Sequence, residues 1–209
     1  MELTIDQRDA LTELINIGYG RAAGALSELT GYRITLEVPQ VTIHKIEAIG
    51  PMLEKVIDVD VASVQQAFSG AIAGSAMLLL DEQAALTLSR LLVDEPSAAR
   101  DFDAGAREII TEVGNILLNA CLGVFGNLLR VQVEFKVPRL SVQSVRSTFK
   151  SAVDEAAEAL RYGLVVHTRF YIKAGDVSGY LVIVLGLSSF DRLLRELEKW
   201  EARGGGTAP

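Results

Sequence analysis

Apolar and polar positions along the chain alternate between two periods, and the order of those periods is written twice. Each half opens with a long helical stretch, from about Thr4 to Leu29 and from about Asp103 to Leu129. Thr4 and Gln7 have the spacing of a capping box, and Gly31 stands where a left-handed C-cap costs little. Both stretches are rich in Gly and Ala along their second halves, which predicts helices lying close to a sheet. Period-two runs follow at Ile34, Leu36 and Val38, then at Val133, Phe135 and Val137, and predict strands. Pro39 and Pro138 interrupt them, which places each at a sheet edge or a bulge. Val61–Ser69 and Met77–Leu80 read as a hairpin, repeated as Leu164–Lys173 and Tyr180–Leu185. Closing helices are expected over Glu82–Val93 and Ser189–Ala202. An additional amphipathic helix is expected within Phe149–Arg161, from the spacing of Val153, Ala156, Ala157 and Leu160.

The repetition extends to residues. Ile34–Ile43 recurs as Val133–Val142, and Glu13–Ile17 as Glu112–Ile116, both displaced by 99 positions. Gly70 and Gly74 match Gly175 and Gly179 at a displacement of 105, which assigns about six extra residues to the second copy between Val142 and Gly175. The reading is one α/β (α+β) domain with pseudo-twofold symmetry, in which a largely antiparallel central sheet carries two long helices side by side. It comprises repeats of about 1–98 and 99–203, a junction near Asp94–Asp101, and a disordered tail over 204–209.

Charge and composition narrow the function. The formal net charge of −7, with no Lys/Arg cluster, argues against a nucleic-acid partner. The N-terminus lacks the basic and apolar regions of a secretory signal, and uninterrupted apolar runs such as Tyr180–Leu187 are too short to span a bilayer. These features predict a cytoplasmic protein with no membrane partner. One cysteine and two histidines offer no metal-ligand spacing, so no metal site is expected. Cys121 reads as core, His44 and His167 as surface or core positions, and Trp200 as packing. Gly70-x-x-x-Gly74 lacks the Lys-Ser/Thr ending of a phosphate loop.

The chemistry-bearing pattern is duplicated. Asp9, Glu13 and Asn16 lie at i, i+4 and i+7, as do Glu108, Glu112 and Asn115. At 100° per residue each set falls within an arc of about 60°. Each Asn is followed 22 positions later by the strand proline, Pro39 or Pro138. Chance produces Glu-x-x-Asn-x22-Pro in fewer than about one chain in a hundred of this composition, and here it occurs twice.

The doubled motif Asp/Ser-x3-Glu-x2-Asn-x22-Pro, with Asn16–Ser27 around the first copy, resembles the CheC/CheX/FliY phosphatases of chemotaxis, and two motifs without an appended switch domain look most like its CheC-like members. The resemblance covers almost the whole chain. It implies hydrolysis of the aspartyl phosphate on a phosphorylated CheY-like response regulator. In that role Asn16 and Asn115 orient the attacking water, and Glu13 and Glu112 pair with the regulator's lysine. Asp9, Pro39, Glu108 and Pro138 shape the two sites. No cofactor is expected on this chain, since Mg²⁺ belongs to the regulator, and CheD is a candidate second partner docking near Phe149–Arg161. Glu108 departs from the family's Asp or Ser and repels Glu112 at i+4; Tyr19 and Arg21 depart at the first site. The alternative reading is a non-catalytic module that binds the response regulator or CheD, and a second rival is a structural part of the flagellar switch.

Overall fold

The first helix, α1 (Ile5–Thr30), starts where its cap dictates: Thr4 Oγ1 accepts from the Gln7 N–H, and Gln7 Oε1 accepts from the Thr4 N–H, both at 3.1 Å. It ends at Gly31, whose φ of 71° lets its N–H turn back to the Ser27 carbonyl. These features are seen in a computed structural model that describes residues 3–37, 41–57, 59–92, 102–154, 160–172 and 175–204. Pro39, the Asp94–Asp101 junction, and the tail beyond Gly204 lie outside the described residues.

After α1 come β1 (Ile34–Leu36), β2 (Val41–Lys45), α2 (Ile46–Leu53), β3 (Val61–Gly70), β4 (Gly74–Asp81) and α3 (Glu82–Leu92). The same order follows as α4 (Ala104–Leu129), β5 (Val133–Phe135), β6 (Arg139–Gln143), α5 (Val145–Asp154), β7 (Leu160–Ile172), β8 (Gly175–Gly186) and α6 (Leu187–Ala202). All strand pairs are antiparallel, in the order β1-β7-β8-β4-β3-β5, with β2 also on β7 and β6 also on β3. Pro138 falls between β5 and β6 on one edge of the sheet, where a missing N–H breaks no central ladder.

Strand alternation divides the core into two layers. Val64, Leu78, Leu80, Val166, Leu181 and Ile183 face α1, α4 and α6. Met77, Leu79, Val165, Val182 and Val184 face Ile46, Ile49 and Leu53 of α2 and Val145, Phe149 and Ala152 of α5. Helix α4 is long and apolar enough to cross a bilayer by length and composition, but half of that window is buried and α4 packs on α1, α3 and β3.

Two expectations are corrected. The helix placed at Phe149–Arg161 runs instead over Val145–Asp154; Leu160 already belongs to β7, and Ala156 and Ala157 lie outside the described residues. Nor is it an addition, because α2 occupies the same place 99 positions earlier. Gly50 and Pro51 obscured α2 in the sequence, since both are poor helix formers. The surplus is also smaller than six. Val41 pairs with Val166, and Leu140, 99 positions after Val41, pairs with Val64, so Val166 answers Val64 at a displacement of 102. The glycine match is therefore not structural: Gly74 opens β4, whereas Gly179 lies within β8 opposite Thr168.

Candidate functional site

The phase of each long helix sets which motif residues reach solvent. Asp9 and Glu13 are exposed, and Asn16, rotated toward the buried stripe of Leu11, Leu14, Ile15 and Gly18, is half-buried. The second helix repeats this, with Glu108 and Glu112 exposed and Asn115 half-buried beside Val113, Gly114 and Leu117. The first turn of each motif is also matched: Thr12 Oγ1 donates to the Arg8 carbonyl at 2.8 Å, and Thr111 Oγ1 to the Arg107 carbonyl at 2.7 Å.

Two glycines beside the motifs set how closely the helices approach their neighbours. A Cβ on Gly114 would lie 2.5 Å from Val64 of β3, and one on Gly18 would lie 2.8 Å from the Cα of Cys121 in α4. Only the first is the helix-on-sheet contact expected from the small-residue stretches, and Gly20, Gly24 and Gly123 meet open space.

At the second motif a polar network ties the asparagine to the proline segment. Asn115 Oδ1 accepts from Asn119 Nδ2 at 2.7 Å, and Asn119 Oδ1 accepts from Gln66 Nε2 at 3.0 Å. Gln66 Nε2 also donates to the Lys136 carbonyl at 3.0 Å, two residues before the half-buried Pro138. The network thus links Asn115 to the segment that precedes Pro138 through Gln66 of β3.

The first motif is built differently. Asn16 Oδ1 is buried and has no hydrogen-bond partner. Tyr19, one turn on, is buried and its hydroxyl bonds Thr168 Oγ1 of β7; burial holds its pKa well above the ordinary value of 10.0. Tyr19 is thus a core anchor. Helix α6 adds acids here, and Gln7 Nε2 donates to Glu198 Oε1 at 2.9 Å. Burial, followed by the charges of Asp6, Asp9, Glu198 and Glu13, raises the Glu201 carboxyl above its ordinary value. Acidic side chains of α1 and α6 thus lie near one another beside the first motif.

The remaining candidates are structural. Cys121 is buried and its thiol is pushed far above its ordinary range by desolvation. Trp200 is buried, His44 Nε2 bonds Thr42 Oγ1 at 3.0 Å, and His167 is exposed against Tyr180. Among the described residues no group of three His, Cys, Asp or Glu side chains is placed to hold a metal ion. A groove of about 620 Å³ between α2 and α5 lies on the opposite sheet face, lined by Ile46, Pro51, Phe149, Lys150 and Val153. Arg146 and Glu54 pair across it through two hydrogen bonds of 3.1 and 3.2 Å.

Asn119 and Gln66 were not picked out from the sequence. The available signal was Asn119 itself, a polar residue of modest helix propensity four positions after a motif Asn in an apolar stretch. Gln66 carries no such signal, because its role depends on a strand 49 positions upstream of Asn115.

Comparison with known proteins finds similarity to CheC and to flagellar FliY and FliM proteins. A CheC-like family model matches residues 7–43, which include the first motif. The CheY-P phosphatase CheC of Bacillus subtilis (strain 168) is 24% identical over 197 residues, covering 90% of this chain and 92% of that protein. FliY of Thermotoga maritima superposes with a TM-score of 0.74 at 18% identity, covering 97% of this chain and 99% of that one. The FliM middle domain from H. pylori superposes with a TM-score of 0.65 at 10% identity, over 93% of this chain and 99% of that domain. At such identities the two structures establish the shared fold alone.

Proposed function

We propose that the chain is a member of the CheC/CheX/FliY family and hydrolyses the aspartyl phosphate of a CheY-like response regulator. The observation that carries this reading is the doubled arrangement of an exposed glutamate and a half-buried asparagine one turn apart, Glu13 with Asn16 and Glu112 with Asn115. A carboxamide can accept one hydrogen bond from the attacking water and donate another without adding negative charge beside the phosphoryl group. Holding that water in line removes orientational entropy from the barrier. An exposed carboxylate is suited instead to a cation on the partner's surface, so Glu13 and Glu112 are assigned to the regulator's lysine. Mg²⁺ enters as part of the phosphorylated regulator. Asp9 and Glu108 border the acidic edge of each site, Pro138 shapes the second through the Lys136 segment, and Pro39 is assigned the same part at the first.

The shared fold of the FliM middle domain means that architecture alone does not separate an enzyme from a binding module. Turnover does. Catalytic amounts of the wild-type chain should accelerate loss of phosphate from the cognate regulator over many cycles, and the Asn16→Ala/Asn115→Ala double variant should not. If the wild-type chain binds the phosphorylated regulator without shortening its lifetime, even with a CheD partner present, the enzymatic reading is withdrawn in favour of a binding module. CheD is assigned to the α2–α5 groove, away from both motifs, where Val153 offers apolar surface beside Lys150.

A further inference from the structure

We infer that Asn119, held by Gln66, is the positioning residue of the second motif, fixing which way the Asn115 carboxamide is turned. The inference rests on the phosphatase reading above. The polarity of the network is set at its far end by the Lys136 carbonyl, which can only accept. Gln66, 2% exposed, must therefore point its Nε2 at that carbonyl, and the same amide group donates to Asn119 Oδ1. Asn119 is left to present Nδ2 to Asn115 Oδ1, at 2.7 Å. Each amide is turned by the one before it, so a backbone carbonyl dictates the orientation of the half-buried Asn115 side chain. Asn115 keeps its Nδ2 protons and the second lone pair of Oδ1 for a water.

The first motif has no such relay. The position 99 residues before Asn119 is Gly20, and the position answering Gln66 at a displacement of 102 is Thr168, which bonds Tyr19 instead. Asn16 Oδ1 accordingly has no partner. The two sites share a motif and differ in how that motif is held, which gives the experiment an internal control within one chain.

The test isolates each site and breaks the relay. In an Asn16→Ala chain, Asn119→Asp still accepts from Gln66 but cannot donate as a carboxylate, and Asn119→Ala removes both bonds. Both should lower kcat for the phosphorylated regulator by about tenfold with KM unchanged, the signature of a mis-set group that binds no substrate. In an Asn115→Ala chain the same substitutions should leave first-site turnover alone. An unchanged kcat in the Asn16→Ala chain, or equal losses in both chains, overturns the inference. If neither parent chain turns over the regulator, the phosphatase reading has failed, and side-chain amide resonances decide the relay independently. The Asn115 Nδ2 protons should then shift and exchange faster with solvent in Asn119→Asp while those of Asn16 do not; an Asn115 signal blind to Asn119→Asp overturns the relay.

Discussion

Leu78 of β4 pairs with Leu181 of β8, and the two are each other's counterparts in the repeat. Val64 answers Val166; Val64 pairs with Leu78 and Val166 with Leu181, so the pseudo-twofold axis passes through the Leu78–Leu181 pair. The sheet is thus closed at its centre by one half pairing with the other. β4 has buried residues on both faces along most of its length, and its free edge in an isolated half would be long and apolar.

Residues 1–98 produced alone should therefore not yield a folded monomer. Sedimentation should find dimers, remaking the central pairing with a second copy, or aggregates. A monomeric half that unfolds cooperatively would contradict the role given to the Leu78–Leu181 junction.

Gly18 and Gly20 lie on one helix but should respond oppositely to Ala. The Gly18 Cβ would press on the Cys121 backbone at 2.8 Å, so Gly18→Ala should cost about 1–3 kcal/mol. Gly20 faces open space, and Gly20→Ala should stabilise by about 0.5–1 kcal/mol through helix propensity. Denaturant midpoints of the two variants should move to opposite sides of wild type.

Arg130 caps α4 at a φ of 57°, the left-handed conformation that Gly31 supplies at the end of α1. A side chain there costs about 1 kcal/mol. Arg130→Gly should raise the thermal midpoint, with a smaller net gain than that cost because glycine also frees the unfolded chain. A lowered midpoint would mean that the Arg130 side chain makes up for its strained backbone.

Tyr19→Phe should cost about 1–2 kcal/mol at neutral pH, since Thr168 Oγ1 loses its phenol and keeps only the Val166 carbonyl at 3.5 Å. Burial raises the folded-state pKa of this phenol, so its contribution is complete below the unfolded-state value of 10.0. It is lost as pH rises toward the folded-state value, because only the unfolded chain ionises easily. The gap in denaturation midpoint between wild type and Tyr19→Phe should therefore narrow above about pH 10. A constant gap would show that Tyr19 is not protected from ionisation.

Glu13→Gln with Glu112→Gln should act on docking more than on chemistry. Both carboxylates are exposed, so each pair with a partner cation contributes about 1 kcal/mol or less. KM for the phosphorylated regulator should rise about fivefold with kcat within about twofold, and added salt should shrink the difference. A collapse of kcat at unchanged KM would move the glutamates into the reaction itself.

Much of this molecule is local and was therefore legible along the chain. The α1 cap at Thr4 and Gln7, the stop at Gly31, the strand periods and the phase that exposes Glu13 and Glu112 all follow from residues within a few turns of one another. The doubling of Glu-x-x-Asn was visible for the same reason. Short-range rules failed at α2 and α5, because each is stabilised by an apolar face on the sheet that overrides the weak propensity of segments such as Ile46–Leu53. They failed again at the repeat offset, which only strand register could set at 102.

The sequence by itself determined the two long helices, the strand periods and the two motifs, because each is encoded by neighbours. Only the tertiary structure decided that the two motifs are held unequally. Asn119, Gln66 and the Lys136 carbonyl come from a helix, a strand and an edge segment, and their hydrogen bonds exist only once the sheet has brought those three together. A hydrogen bond reads distance in space, and that distance is set by packing across the whole core rather than by spacing along the chain.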